Sequence, residues 1–162
     1  MPRIWTAPFA CIVLVGLALL APPARAADGK LVVIETFTKG NTELMVAHYT
    51  DPNVEPAKSR VGLVGIASPN RNSFAFNHAE WLKLIALCTK AAAVKSATWT
   101  QVGTMSETGT TDVSQLTLSA GPGLSFVISS PKEGTVSFIV PKADVPRLQN
   151  GMRQIRDYLA TD

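Results

Sequence analysis

Charge and chemically versatile side chains are scarce in this 162-residue sequence: 17% of its residues are charged, the formal net charge is +3, and it has two cysteines and two histidines. Each shortage excludes something. Two cysteines cannot hold together a disulfide-dense miniprotein. Two histidines leave little for metal or acid–base schemes, and no H-E-x-x-H, paired C-x-x-C, EF-hand, Walker or G-x-S-x-G spacing occurs. No metal site, cofactor or catalytic constellation is implied, so the chain is expected not to be an enzyme. At 46% hydrophobic residues it is too apolar to stay disordered, and its length fits one compact domain.

The apolar run Phe9 to Leu20 (FACIVLVGLALL) falls short of the about 20 residues that a membrane-spanning helix needs. It follows a short basic start at Met1 and Arg3 and ends at Pro22 and Pro23, before the A-x-A pattern of Ala24, Arg25 and Ala26. Residues 1–26 therefore read as a cleaved secretory signal peptide. Cys11 lies at the beginning of the apolar run rather than after it, which argues against a lipidated cysteine. Residues 27–162 are expected to form a single domain with no transmembrane helix. Arg3 and Arg25 leave with the leader, so 13 basic residues remain against 12 acidic ones and the net charge falls to +1. The attraction of a basic chain for polyanions weakens with it. Cys88 is left alone and cannot form an internal disulfide.

The rest of the chain alternates between period-two apolar patterns, which argue strands, and two stretches with a period near 3.6, which argue helices. Leu31 to Phe37 and Glu43 to Thr50 flank the hairpin signal TKGN. Arg60 to Ala67 follows the proline-rich connection DPNVEPAKS, and a short strand begins at Ser73 after the turn SPNRN. Asn77, with Glu80 three residues on, has the pattern of a capping box opening a helix that runs to about Lys95. Trp81, Leu84, Ile85, Cys88, Ala91 and Ala92 share one face of that helix, and the face should lie on a sheet. The pattern then restarts. Ala97 to Gly103, Val113 to Ala120, Leu124 to Ser130 and Thr135 to Val140 read as strands, separated by TMSETGTTD, GPG and PKEG. A closing helix carries the stripe Val145, Leu148, Met152, Ile155 and Leu159, with Pro146 tolerated in its first turn.

Residues 73–95 laid over 137–159 without a gap, at an offset of 64, match identically at Ser73, Phe74, Ala79 and Leu84 against Ser137, Phe138, Ala143 and Leu148. The apolar stripes of the two helices coincide in that alignment, which is the pattern of an internal duplication. The expected fold is α+β: two antiparallel ββββα units in tandem, about 31–95 and about 97–160, forming one pseudo-symmetric domain.

Four strands and a helix, repeated, resemble the single-stranded nucleic-acid-binding superfamily of Whirly proteins, PUR repeats and positive-cofactor-four transcription coactivators. The resemblance covers roughly residues 31–160 and is one of topology. Whirly proteins carry a lysine-glycine-rich strand motif, of which Lys39-Gly40 is the one Lys-Gly step in this sequence. What the resemblance implies is a dimer-like or pseudo-dimeric packing of two units and, as the alternative function, a single-stranded nucleic-acid-binding module.

Among individual residues, His48 and Tyr49 are adjacent in a strand and are candidate ligand-binding residues. Trp99, between Thr98 and Thr100, is either a core anchor, the preferred reading, or a stacking platform for a ring-shaped ligand. Cys88 lies on an apolar helical stripe and reads as a buried structural thiol. His78 reads as an exposed first-turn residue. Lys142, Arg147, Arg153 and Arg156 give the second helix a basic side, balanced by Asp144 and Asp157, and read as a solvated face. Serine and threonine fill the polar positions of LTLSA, LSFVISS and TVSFIV, so one sheet face should be neutral and hydroxylated, suited to a protein or glycan rather than to a polyanion. The leading expectation is thus an exported, periplasmic or secreted, non-enzymatic binding or envelope-associated protein. Its partner would be a protein or glycan of the cell envelope, a homodimer is allowed, and nucleic acid is disfavoured.

Overall fold

The computed structural model describes residues 30–50, 52–67, 69–107 and 113–161. The segment read as a leader, residues 1–26, lies outside them, as do Ser68 and residues 108–112 of two turns inferred above. The described chain forms β1 (Lys30–Lys39), β2 (Thr42–Thr50), β3 (Val61–Ala67), β4 (Asn70–Phe76) and α1 (His78–Ala92), then β5 (Thr100–Ser106), β6 (Gln115–Ala120), β7 (Gly123–Ser130), β8 (Gly134–Pro141) and α2 (Val145–Leu159). Strands β1–β4 form one antiparallel sheet in sequence order, and β5–β8 form a second. This is the α+β ββββα repeat expected from the sequence.

Local chemistry accounts for the elements. At the start of α1 the Asn77 side chain accepts from the Glu80 backbone N–H at 2.9 Å, and the Glu80 carboxylate accepts from the Asn77 N–H at 2.9 Å. This closes the capping box and satisfies two donors that no helical carbonyl can reach. Gly40 takes the left-handed φ of +58° that the β1–β2 turn requires, so the Lys39-Gly40 step is part of a hairpin turn. Pro146 lies in the first turn of α2.

Two boundaries move for identifiable reasons. Strand β5 starts at Thr100 rather than Ala97, because the Ser96 hydroxyl accepts from the Thr98 N–H at 3.1 Å and holds 96–98 in a local turn. Strand β4 starts at Asn70 rather than Ser73. The amide of Asn72 donates to the carbonyls of Gly134 at 2.7 Å and Ile128 at 3.3 Å, both in the other sheet, and these partners override the turn preference of asparagine.

The core lies between the sheets and helices, and the helices are exchanged. Helix α1, which follows the first sheet, packs on β5, β6 and β7, while α2 packs on β1 and β2. The buried positions of α1, namely Trp81, Leu84, Cys88 and Ala91, recur at the offset of 64 as Val145, Leu148, Met152 and Ile155 of α2. Where β8 crosses the first sheet, a Cβ on Gly65 would come within 3.0 Å of Val136, so glycine permits the close approach there. One continuous cluster includes Phe37, Leu63, Phe74 and Trp81 together with Leu118, Phe126, Phe138 and Leu148.

Candidate functional site

Alternation along a strand decides what each sheet shows to solvent. In the first sheet the rows turned away from the core are Leu31 and Tyr49; Val33, Ala47, Gly62 and Ala75; Thr36, Met45, Val64 and Ser73; and Thr38, Glu43, Ile66 and Arg71. This face is aliphatic, with one aromatic ring. In the second sheet the corresponding rows are Gln101, Ser119, Ser125 and Ile139; Thr104, Thr117, Val127 and Ser137; and Ser106, Gln115, Ser129 and Thr135. The neutral hydroxylated face expected from the sequence is therefore real and belongs to the second sheet, where the hydroxyls of Ser129 and Thr135 meet across strands at 3.1 Å.

A shallow groove of about 330 Å³ crosses the first sheet's outer face. Tyr49 and Leu31 line one part, with Arg60 beside them; Val64, Ser73 and Ala75 line the middle, and Arg71 reaches in from the far row. The backbone places Arg60 there, because the Tyr49 N–H donates to the Arg60 carbonyl at 2.8 Å and carries the β2–β3 pairing one step further. Leu31 and Val33 are both exposed. The edge of the sheet at Ala75 is closed by Glu107, whose carboxylate accepts the Ala75 N–H at 2.7 Å. Glu43 stands in the same outer row as Arg71.

The three residues singled out in the sequence do not share a site. His48 and Tyr49 lie on opposite faces of the first sheet. His48 is 5% exposed on the core face, with its ring centroid 4.1 Å from that of Tyr158 on α2. Burial lowers its pKa below the ordinary value, and its Nδ1 has no hydrogen-bond partner. Trp99 is not a core anchor: it is 45% exposed, on the segment entering β5. Cys88 is buried, and burial pushes its thiol pKa up to about 12. Sequence reasoning passed over Arg60 and Arg71. The usable signal was parity, since Arg60 alternates with the outward Gly62 and Val64 of β3, and Arg71 with the outward Ser73 and Ala75 of β4.

The basic side of α2 is only partly a solvated face. Arg147 binds β1, with its Nε 3.0 Å from the Glu35 carboxylate, a hydrogen bond to the Thr36 carbonyl at 2.6 Å, and its guanidinium carbon 4.3 Å from the centre of the Phe37 ring. Arg156 pairs with Asp157 at 2.7 Å. Among the described residues no three His, Cys, Asp or Glu side chains gather as a metal site, and no helix is long and apolar enough to cross a membrane.

The sequence matches no protein-family model and no curated protein sequence at a significant level. The fold has solved counterparts. The plant transcriptional regulator PBF-2 superposes with a TM-score of 0.54 at 13% identity, over 80% of this chain and 82% of the other. WHY3 from Arabidopsis thaliana superposes with a TM-score of 0.51 at 11% identity, over 77% of this chain and 86% of the other. Both are Whirly proteins, so the Whirly-like topology resemblance is established as a likeness of fold.

These counterparts correct the leading expectation. The reading as an exported, periplasmic or secreted, binding protein with a protein or glycan partner in the cell envelope gives way, because the fold is shared with a transcriptional regulator. The expectation that disfavoured nucleic acid as a partner falls with it. The physical reason lies in how charge was counted. Net charge sums the whole surface, whereas a nucleic-acid strand meets only the groups along its path. Arg60 and Arg71 line one groove although the formal net charge of the chain is only +3. The hydroxylated face that supported the earlier reading occupies only one of the two sheets.

Proposed function

We propose that the chain is a non-enzymatic protein that binds single-stranded nucleic acid along the outer face of the first sheet. The observation that carries this reading is the composition of the groove, with Tyr49 and the exposed Leu31 beside Arg60 at one end and Arg71 at the other. Unpaired bases have flat apolar faces that suit Tyr49 and Leu31, and their phosphates suit Arg60 and Arg71. A duplex keeps its base faces stacked inside and presents only its backbone and base edges, which leaves Tyr49 nothing to stack on. From the Tyr49 row to the Arg71 row the groove spans roughly 20 Å at the usual rise per strand residue, long enough for a short stretch of strand. The fold shared with a plant transcriptional regulator supports the same reading. His48, on which an acid–base enzyme would have to rely, lies beneath Tyr158 rather than in the groove.

The test is fluorescence anisotropy of labelled oligothymidine with the full chain across a salt series. Binding should weaken with salt, with a log–log slope of roughly −0.7 for each phosphate neutralised. Tyr49→Ala should reduce affinity about tenfold with the slope unchanged. Arg71→Gln should make the slope shallower by about 0.7, and duplex DNA should compete poorly. Absence of binding at low salt, or binding indifferent to both substitutions, overturns the proposal.

A further inference from the structure

At one end of the first-sheet groove Tyr49 and Arg60 are joined by the hydrogen bond from the Tyr49 N–H to the Arg60 carbonyl at 2.8 Å. Their chain neighbours, His48 and Ser59, stand behind them on the core face. His48 is in register with Val61, and Ser59, in extended backbone two residues before Val61, turns to the same face by alternation. The two residues are therefore diagonal neighbours, about 7–8 Å apart in the usual antiparallel geometry. They are 5% and 4% exposed, and neither the His48 Nδ1 nor the Ser59 Oγ has a hydrogen-bond partner. Buried polar atoms are nearly always paired, so two exceptions on adjoining strands directly beneath the groove call for a reason.

Helix α2 packs both on β2 and on the helical turn Pro56–Lys58 that leads into Ser59. The Tyr158 ring covers His48, while Val32 faces it from β1 and Val61 from β3. Charged groups on these elements are engaged with one another or exposed. Glu55 pairs with Lys58 at 2.7 Å, Arg156 with Asp157 at 2.7 Å and Arg147 with Glu35 at 3.0 Å, and Lys30 and Arg153 are exposed. Tyr158 is thus the titratable group against the ring, and among the described residues no carboxylate pairs with His48. Protonation would put a hydrogen on both ring nitrogens and turn Nδ1 into a donor in a closed space, where the Ser59 hydroxyl is an unengaged acceptor. Because the two atoms are not bonded in the folded chain, making that bond moves Ser59, and Arg60 follows it directly.

We infer that His48 and Ser59 form a proton switch beneath the groove: protonated Nδ1 donates to the Ser59 Oγ, the segment bearing Arg60 is drawn toward the core, and a bound nucleic-acid strand is released. The inference rests on the strand-binding reading of the groove. By linkage the strand opposes protonation of His48 as strongly as the proton opposes the strand.

The experiment is fluorescence anisotropy of labelled oligothymidine with the full chain at fixed salt between about pH 8 and about pH 5, where histidine is the side chain that ordinarily titrates. Thymine and phosphodiester groups keep their charge over this range. Affinity should fall about tenfold toward the acid end, the equivalent of about one unit's difference in the His48 pKa between free and bound chain. His48→Phe should bind as the parent does at the alkaline end and keep that affinity in acid. Ser59→Ala should move the midpoint of the profile to lower pH, since the imidazolium then lacks its acceptor. His78→Gln, which removes the chain's other histidine, should keep the parent's profile. Circular dichroism unchanged across the range confirms that parent and variants stay folded. In the free chain, the Tyr49, Ser59 and Arg60 amides should shift with the His48 titration followed by NMR, a readout that needs no nucleic acid. Amides that stay still while His48 titrates, affinity level across the range, or a profile that His48→Phe leaves unchanged overturn the switch alone. Absence of binding at the alkaline end overturns the groove reading and the switch with it.

Discussion

The indole Nε1 of Trp81 donates a hydrogen bond to the backbone carbonyl of Met152 at 3.1 Å, and both residues are buried. This contact joins α1 to α2 across 71 residues of sequence and fixes the two exchanged helices to one another. Trp81 also meets the Phe76 ring edge-on, with centroids 5.4 Å apart. Trp81→Phe should keep most of the packing and lose the hydrogen bond, costing about 1–2 kcal/mol. Trp81→Ala should cost about 3–5 kcal/mol by leaving a cavity between the helices. Urea denaturation curves of the two variants give the comparison directly, and a Trp81→Phe variant as stable as the parent would mean that the hydrogen bond contributes nothing.

Asn72 should be the most consequential polar residue between the two sheets. It is fully buried, and its amide nitrogen serves two carbonyls of the second sheet while its Oδ1 accepts nothing. Asn72→Ala deprives the Gly134 and Ile128 carbonyls of a donor in a closed space and should cost about 2–3 kcal/mol, read as a lowered urea midpoint. Hydrogen exchange should show the loss spread over β7 and β8 as well as β4.

Arg147→Met should cost less, about 1 kcal/mol, because its partner Glu35 is partly exposed and water screens the pair. The aliphatic chain of methionine keeps some of the packing against Phe37. The difference in stability between parent and variant should shrink as salt is raised, since the ion pair weakens and the stacking does not. A salt-independent difference would assign the contribution to packing alone.

The stability of the fold should depend on pH through His48. Burial beneath Tyr158 lowers its pKa below the ordinary 6.5, so the unfolded chain takes up a proton more readily than the folded one. The contribution is therefore complete above pH 6.5, diminishes as pH falls through that value, and levels off below the lowered pKa of the folded state. His48→Phe should flatten this part of the profile, as measured by urea midpoints between about pH 8 and about pH 5. An unchanged slope would show that His48 is not responsible.

Cys88 should be inert to alkylating reagents at neutral pH while the chain is folded, since its thiol is buried and its pKa is raised to about 12. Labelling with iodoacetamide should follow the unfolding transition in urea, which makes the thiol a convenient probe of global opening. Rapid labelling without denaturant would contradict the packing of α1 on the second sheet.

Much of this architecture was legible because local periodicity is a local property. The capping box at Asn77 and Glu80, the stripe from Val145 to Leu159 and the offset of 64 between the halves all follow from spacing along one segment. The hydroxylated face of the second sheet was visible for the same reason. Periodicity names the residues that share a face and is silent about what that face meets. His48 and Tyr49 alternate in β2, yet nothing in that alternation says that His48 lies beneath Tyr158 while Tyr49 lines an open groove. Trp99 read as core because large aromatic residues are usually buried, whereas the turn at Ser96 and Thr98 keeps it outside the sheet.

The sequence by itself determined two ββββα units and the buried stripe of each helix. The tertiary structure alone decided that each helix covers the other unit's sheet, that Arg60 and Arg71 share a groove with Tyr49, and that Trp99 stays exposed beside the β6–β7 turn. The reason is physical. Two similar units present two similar apolar sheet faces and two similar apolar helix faces, and hydrophobic burial is non-directional, so composition and spacing do not say which helix meets which sheet. That choice falls to three-dimensional complementarity: the space at Gly65, the donors of Asn72 and Trp81, and the reach of Arg147.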